Sequence, residues 1–212
     1  MTATRLLFAA AILLLAILAL VPVPPAAAET IIDQWASVKT PPPPELKPVT
    51  VDPKTTALLM LDFMTQNCGK RPACLASIPA VKRLLDEARA AKAIVVYSII
   101  ANSTTADVIK DVAPIADEAW VLAGPDKFLN TPLAGLLKDK KIQTVIAVGT
   151  ASNGAVLFTA AGAAMRGINV IVPVDGMSAA DPYADLTTAY TLANAPVLAN
   201  KTTLTKIDMI KF

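Results

Sequence analysis

Short apolar runs alternate with amphipathic segments along the chain from residue 55 onward. Runs rich in Val, Ile and Leu predict strands buried on both faces, and they lie at residues 57–61, 93–98, 119–122, 144–148 and 168–174. Apolar positions at helical spacing, or helix-favouring composition, predict helices over residues 77–92, 105–112, 131–141, 154–165 and 182–198. Residues 202–204 add a possible edge strand. This alternation predicts an α/β fold in which helices cover both faces of a parallel sheet.

The first of these helices has a predicted start at Ser77. A serine is a favoured N-cap, and Pro79 would then fall in the first turn, where proline is tolerated.

Residues 1–28 have the pattern of a signal peptide. Arg5 precedes an unbroken apolar run over residues 6–21, prolines end that run, and three alanines at residues 26–28 offer a cleavage site. An uncleaved anchor is the alternative, but the run is shorter than the roughly 20 residues that a spanning helix needs. The sequence therefore predicts an exported protein, periplasmic or secreted, with no stable membrane insertion after cleavage.

Residues 29–54 are predicted to form a proline-rich N-terminal arm. Four consecutive prolines at residues 41–44, followed by Pro48 and Pro53, impose extended backbone and prevent a helix. The segment is either a linker or an arm that packs on the domain or on a neighbouring subunit. The remaining residues, 55–212, form a single predicted domain.

The chain contains no histidine, and its formal net charge is +2. The absence of histidine excludes a Ser-His-Asp triad, a Cys-His dyad and any histidine-ligated metal site. A nearly neutral chain does not indicate nucleic acid as a partner. We expect no metal and no cofactor, and acid–base chemistry would have to use a carboxylate, a lysine or water.

Polar residues follow the ends of several predicted strands, where ligands bind in parallel sheets. Asp62 comes directly after the first strand, so its carboxylate would be partly desolvated; it is either a functional group or the cap of a turn. Lys127 is either a solvated loop residue or turned into a pocket, where it pairs with Asp62 or with a substrate anion.

Cys68 and Cys74 lie on either side of a short turn beside Asp62. In an exported protein two such cysteines predict a disulfide. A reactive pair is the alternative, because Lys70 and Arg71 would lower the thiol pKa values.

The segment over residues 144–160 predicts a strand, a tight turn after Gly149 and the start of a helix. Free backbone N–H groups at such a turn can bind a ligand. The segment lacks both the glycine pattern of a dinucleotide site and the Gly-Lys-Ser/Thr of a phosphate-binding loop.

Four motifs together resemble the isochorismatase-like (cysteine hydrolase) superfamily over residues 55–205. They are Leu-Leu-Met-Leu-Asp at residues 58–62, Phe-Leu-Asn-Thr-Pro-Leu at 128–133, Gly-Thr-Ala-Ser-Asn-Gly-Ala-Val-Leu-Phe-Thr-Ala at 149–160, and Val-Pro-Val-Asp-Gly at 172–176. The resemblance implies a three-layer α/β/α, Rossmann-like fold with a mostly parallel sheet of about six strands. It also implies a small-molecule substrate and a possible homo-oligomer.

The amide hydrolases of this superfamily use an Asp, a Lys and a nucleophilic Cys. Asp62 matches the Asp, whereas the cysteine position falls on Ala155. An ungapped alignment with the family motif places its lysine at Leu122, and Lys127 is the only lysine near that position. The resemblance further implies a cis peptide at Ala151–Ser152, a substrate-binding turn made of Ser152, Asn153, Gly154 and Ala155, and oxyanion donors near the last two.

Without a thiol at Ala155 no thioester can form there, so chemistry of the nicotinamidase kind is disfavoured. The remaining hypotheses are three. The first is a hydrolase in which Asp62 is the general acid/base and Lys127 its electrostatic partner, as in isochorismatases that protonate a vinyl ether. The second is a catalytically degenerate module that binds a small molecule, and the third is an assembly protein that uses its proline-rich arm.

Overall fold

The computed structural model describes residues 28–212, in two units that divide between Pro42 and Pro43. The predicted signal peptide falls outside the described residues, apart from Ala28. In the first unit, residues 28–40 are all exposed and contain one short helix, α1 (Ile31–Gln34). Asp33 caps this helix, because its carboxylate accepts the backbone N–H of Thr30 at 2.8 Å and the Thr30 hydroxyl at 2.9 Å.

The second unit contains nine strands. They are β1 (Val49–Thr50), β2 (Thr56–Leu61), β3 (Ile94–Ile99), β4 (Ala119–Leu122), β5 (Thr144–Thr150), β6 (Asn169–Pro173), β7 (Met177–Ser178), β8 (Thr202–Thr205) and β9 (Ile210–Lys211). Four longer helices accompany them: α2 (Pro72–Ala90), α3 (Leu133–Asp139), α4 (Leu157–Met165) and α5 (Pro182–Asn194).

Seven of these strands form one parallel sheet with the order β4-β3-β2-β5-β6-β8, and β7 pairs with the end of β5. The chain runs outward from β2 to β3 and β4, then returns to place β5 on the other side of β2. The strand order therefore reverses between β2 and β5, and a reversal of this kind opens a crevice at the carboxyl ends of the two strands.

Helices cover both faces of the sheet, as the alternation of buried side chains in β2 shows. Leu58 and Met60 pack into a core with α2, whereas Ala57, Leu59 and Leu61 pack into a second core with α3, α4 and α5. This is the predicted α/β/α arrangement around a mostly parallel sheet. Within residues 28–212, no helix has the combined length and apolarity that crossing a bilayer requires.

Helix α2 begins at Pro72, five residues before the predicted start. Proline fits the first turn of a helix because its missing N–H would be unpaired there anyway. Ser77 is not the cap; it is buried inside the helix, and its hydroxyl donates to the carbonyl oxygen of Cys74 at 2.8 Å. Pro79 lies within the helix on its exposed side.

The helix predicted over residues 105–112 is replaced by two short 3₁₀ turns, Thr105–Asp107 and Lys110–Val112. The backbone here bonds to the loop after β2 instead of to itself: the Ile109 N–H donates to Phe63 at 2.9 Å. In a continuous helix the backbone N–H groups of this segment would bond to carbonyl groups of the same segment instead.

The second unit begins at Pro43, before the predicted domain start at residue 55. Strand β1 pairs with β9 in a separate two-stranded sheet, and the Lys47 N–H donates to the carbonyl oxygen of Leu204 at 3.0 Å. Residues from Pro43 onward consequently belong to the second unit.

Candidate active site

Asp62 lies at the carboxyl end of β2, in the crevice where the strand order reverses. Its backbone is in the left-handed region, with φ at 56°, and the residue is only 5% exposed. The Ser98 hydroxyl at the end of β3 makes two bonds to it: it accepts the Asp62 N–H at 3.2 Å and donates to Oδ1 at 2.7 Å. Register explains the contact, since Ser98 is the neighbour of Leu61 across the sheet.

Lys127 holds the other oxygen of this carboxylate. Its Nζ atom lies 2.6 Å from Asp62 Oδ2 and 2.8 Å from the carbonyl oxygen of Gly124, and its side chain is fully buried. Of the two interpretations of Lys127, the structure has the one in which it pairs with Asp62. Leu122, where an ungapped alignment places the family lysine, is 54% exposed.

The loop that carries Lys127 is fixed to helix α4 and to itself. The Lys127 N–H donates to the buried Thr159 hydroxyl at 3.3 Å, and the Thr131 hydroxyl donates to the Lys127 carbonyl oxygen. Phe128 is buried beneath the guanidinium of Arg166, which lies 4.6 Å from the ring centroid. These contacts hold Lys127 beside Asp62 at the carboxyl end of β2, although Lys127 lies five residues beyond the end of β4.

The pKa of Asp62 is raised above the ordinary aspartate value. Burial is the largest cause, because it disfavours the charged carboxylate. The Lys127 ammonium, the Ser98 hydroxyl and the Arg71 guanidinium all lower the pKa, but they do not outweigh burial. The site therefore contains a carboxyl group that retains its proton at higher pH than an exposed aspartate does.

The turn after β5 forms the opposite side of the crevice. Gly149, at φ 151°, passes so close to β2 that an added Cβ would lie 2.2 Å from the Leu61 carbonyl oxygen. The Thr150 hydroxyl donates to the Ser178 carbonyl oxygen at 2.9 Å, and the cis peptide is Thr150–Ala151, one bond before the expected position at Ala151–Ser152. The turn continues as a π-helical segment, Ser152–Val156.

Asp62 opens onto a cavity of about 650 Å³. Segments that follow four strands of the sheet line it: Asp62, Asn67, Arg71, Ile100, Ala101, Leu122, Ala123, Gly124, Pro125, Asp126, Leu129, Asn130, Thr150, Ala151, Gly154 and Ala155. Most of this lining is apolar, and the volume suits a small molecule.

Two of the four residues in the predicted substrate-binding turn line the cavity. Gly154 and Ala155 line it, whereas Ser152 is fully buried and Asn153 is exposed, and neither contributes to the lining. The Gly154 N–H, an expected oxyanion donor, already donates to the carbonyl oxygen of Ala151 at 3.1 Å. The turn therefore offers fewer free donors to a ligand than the resemblance implied.

Cys68 and Cys74 form the predicted disulfide, with a sulfur–sulfur distance of 2.06 Å, and both are fully buried. They are the chain's two cysteines, so no free thiol is available for catalysis. Among residues 28–212, no group of three or more His, Cys, Asp and Glu is placed to hold a metal ion.

Arg71, between the two cysteines, is a cavity residue that the sequence did not identify as such. Its Nη1 atom donates to the Thr150 hydroxyl at 3.0 Å, which joins the disulfide loop to the turn after β5. The available signal was its place in a short closed loop beside Asp62, but the cationic side chain was interpreted only through its effect on the thiols.

Solved structures with the same fold include a cysteine hydrolase, a nicotinamidase and an N-carbamoylsarcosine amidase. A cysteine hydrolase from Pseudomonas syringae pv. phaseolicola aligns with a TM-score of 0.66 at 20% identity, over 78% of this chain and 94% of that one. The nicotinamidase from Staphylococcus aureus aligns with 0.64 at 19%, over 72% and 99%. The N-carbamoylsarcosine amidase from Thermoplasma acidophilum aligns with 0.62 at 21%, over 73% and 97%.

These identities establish the fold alone, and no curated protein sequence matches the chain. The family itself is shown by a sequence model, the isochorismatase domain, which matches residues 56–203. That match covers the sheet from β2 to the first half of β8 and every segment that lines the cavity. The chain therefore belongs to the isochorismatase-like hydrolase family.

Proposed function

We propose that this protein is an exported hydrolase that acts on a small metabolite by acid–base chemistry centred on Asp62, without a covalent thioester. The observation that carries the proposal is the Asp62 carboxyl group, which lines the cavity, is buried and has a raised pKa. A carboxyl group whose pKa is raised can act as a general acid at higher pH than an ordinary aspartate can.

The reaction proposed is the addition of water to a bond activated by protonation. Asp62 donates its proton to the substrate, water adds to the resulting electrophilic carbon, and the proton that this water loses returns to the carboxylate. The adduct then collapses: its hydroxyl proton passes to the ether oxygen, the carbon–oxygen bond to that oxygen breaks, and a carbonyl product and an alcohol leave. The sum is the cleavage of one bond by one water molecule. Lys127 stabilises the carboxylate during the interval in which it is charged, because its ammonium lies 2.6 Å from Oδ2.

The proposal takes Ala155 to stand at the position of the superfamily's nucleophile. Ala155 lines the cavity, and both cysteines of the chain are joined in the disulfide. A thioester route is therefore not open to these side chains. Export is supported by the pattern of residues 1–28 and by a buried disulfide, which is typical of proteins outside the reducing cytosol.

The test is an activity screen of the Asp62→Asn variant against vinyl ethers, amides and esters. We expect this variant to lose at least about a hundredfold in kcat/KM, because the amide cannot donate a proton as an acid does. Unchanged turnover would remove Asp62 from the mechanism.

Asp62→Asn also leaves the Lys127 ammonium buried without its partner, which can destabilise the fold. The double variant Asp62→Asn/Lys127→Met removes both charges and keeps the test interpretable. It should fold and remain inactive; full activity in a folded double variant would contradict the proposal.

A second candidate function is a binding module that has lost catalysis. Two observations favour it: no thiol faces the cavity, and the Gly154 N–H is occupied by Ala151. A thermal-shift screen of small metabolites separates the two functions. Stabilisation by a compound that is never consumed favours the binding module, whereas its conversion to product favours the hydrolase.

A further inference from the structure

Among residues 28–212, Arg71 is the one cation on the cavity lining, and part of its guanidinium has no partner there. Nη1 donates to the Thr150 hydroxyl, while Nε and Nη2 donate to no other group within residues 28–212. The ion pairs in this part of the chain do not include Arg71. A guanidinium with free N–H groups matches the two oxygens of a carboxylate.

The two carboxylates on the lining do not neutralise Arg71. Asp62 is bound by Lys127 and Ser98, and Asp126 accepts the backbone N–H of Phe128 at 2.9 Å through Oδ1. Neither lies within ion-pair distance of the Arg71 guanidinium. An anion of a bound molecule would therefore supply the missing partner.

The rest of the cavity indicates what is attached to that anion. Ile100, Leu122, Pro125 and Leu129 give the lining a mostly apolar character. A single arginine suits a monoanion better than a phosphate dianion, since no second unpaired cation lines the cavity among the described residues. A carboxylate on a compact apolar group combines the two requirements.

We infer that Arg71 is the specificity-determining residue of this cavity and binds the carboxylate of an apolar monocarboxylate substrate. The inference rests on the proposed function, because it takes the cavity to be the substrate site. The Thr150 hydroxyl fixes one side of the guanidinium. The Cys68–Cys74 disulfide closes the loop around Arg71, whose own N–H donates to the Cys68 carbonyl oxygen at 2.9 Å.

The test uses benzoate and its neutral isostere benzamide as probes, with binding to the protein measured by calorimetry and thermal shift. We expect benzoate to bind more tightly than benzamide, and Arg71→Gln to weaken benzoate binding about tenfold or more, the scale of a charge-assisted hydrogen bond. Benzamide binding should change little. Lys70→Gln is the matched control, because Lys70 is an exposed cation in the same loop that does not line the cavity.

Arg71→Lys separates charge from geometry. It keeps the positive charge but loses the planar pair of N–H donors that matches both carboxylate oxygens, so it should bind benzoate with intermediate affinity. It also replaces Arg71→Gln if that variant does not fold. Equal benzoate affinity in wild type and Arg71→Gln, equal binding of benzoate and benzamide, or an equal loss in Lys70→Gln would each overturn the inference. Since the readout is binding, failure of the hydrolase proposal would appear separately, as benzoate binding without turnover of any carboxylate ester, amide or vinyl ether.

Discussion

Asp62 and Lys127 form a buried pair whose charge state depends on two opposing effects. Burial raises the pKa of the carboxyl group, and the Lys127 ammonium is the strongest of the influences that lower it. The proton-donating form of Asp62 is present below this raised pKa and is lost as pH rises through it. The chemistry proposed here is therefore tied to pH through one residue.

We predict that hydrolysis declines with rising pH as Asp62 loses its proton, at a pH above the ordinary aspartate range. Lys127→Met removes the ammonium, so the pKa of Asp62 should rise further and the decline should move to higher pH while kcat falls. The measurement is kcat/KM against pH for both proteins. Lys82→Met is the control, because Lys82 is half-exposed and forms its ion pair with Asp86 on the surface of α2, away from the cavity. A decline that stays in place or moves to lower pH in Lys127→Met would contradict the assignment.

Among the elements, the approach of β5 to β2 matters most for the site. Gly149 is the neighbour of Leu61 in the parallel register, and Leu61 directly precedes Asp62. At this point the two backbones are too close for any side chain on β5. A glycine is thus required for Asp62 to occupy its place in the crevice.

We predict that Gly149→Ala destabilises the protein by about 3 kcal/mol and displaces Asp62. The new Cβ would lie 2.2 Å from the Leu61 carbonyl oxygen and 2.6 Å from its Cβ, so the backbone must shift. Urea unfolding measures the first effect and kcat/KM the second. Gly135→Ala in α3 is the control: nothing lies within 4 Å of its added Cβ, and the exchange should stabilise by about 0.5–1 kcal/mol. Similar unfolding midpoints for the two variants would refute this account.

At the scale of the whole molecule, strand β1 near the start of the second unit pairs with β9 near residue 212. Val51 is part of the core beneath α2, and its N–H donates to the Lys211 carbonyl oxygen at 2.9 Å. Residues 28–40, in contrast, are all exposed.

Two truncations distinguish these segments. Removing residues 1–42 should leave the free energy of unfolding of the body within about 0.5 kcal/mol, whereas removing residues 1–51 should lower it by about 2–3 kcal/mol through the loss of hydrogen bonds and of one buried valine. Chemical denaturation gives both values. Equal stability of the two truncated proteins would contradict the role of β1. A change of mass in solution on removing residues 1–42 would support the assembly role of the arm.

Local signals were sufficient for most of the fold. The double-sided apolar runs identified β2, β3, β5 and β6, because strands covered by helices on both faces need apolar residues at every position. Element starts were less well predicted. Helix α2 begins at Pro72, a residue type that fits the first turn of a helix, and the two 3₁₀ turns after β3 form where the backbone bonds to a loop distant in sequence.

The sequence by itself determined that a carboxyl group follows a buried strand, that two cysteines lie in a short loop beside it, and that Ala155 carries no thiol. The tertiary structure alone decided that Lys127 pairs with that carboxyl group and that Arg71 lines the cavity beside it. Lys127 makes a fully buried contact with Asp62 across 65 positions of chain, and a hydrogen bond to Thr159 in α4 holds its loop in place. Arg71 contacts Thr150 across 79 positions, because the sheet places β2 and β5 side by side. Such contacts depend on strand order, which local patterns of apolar and polar residues do not encode.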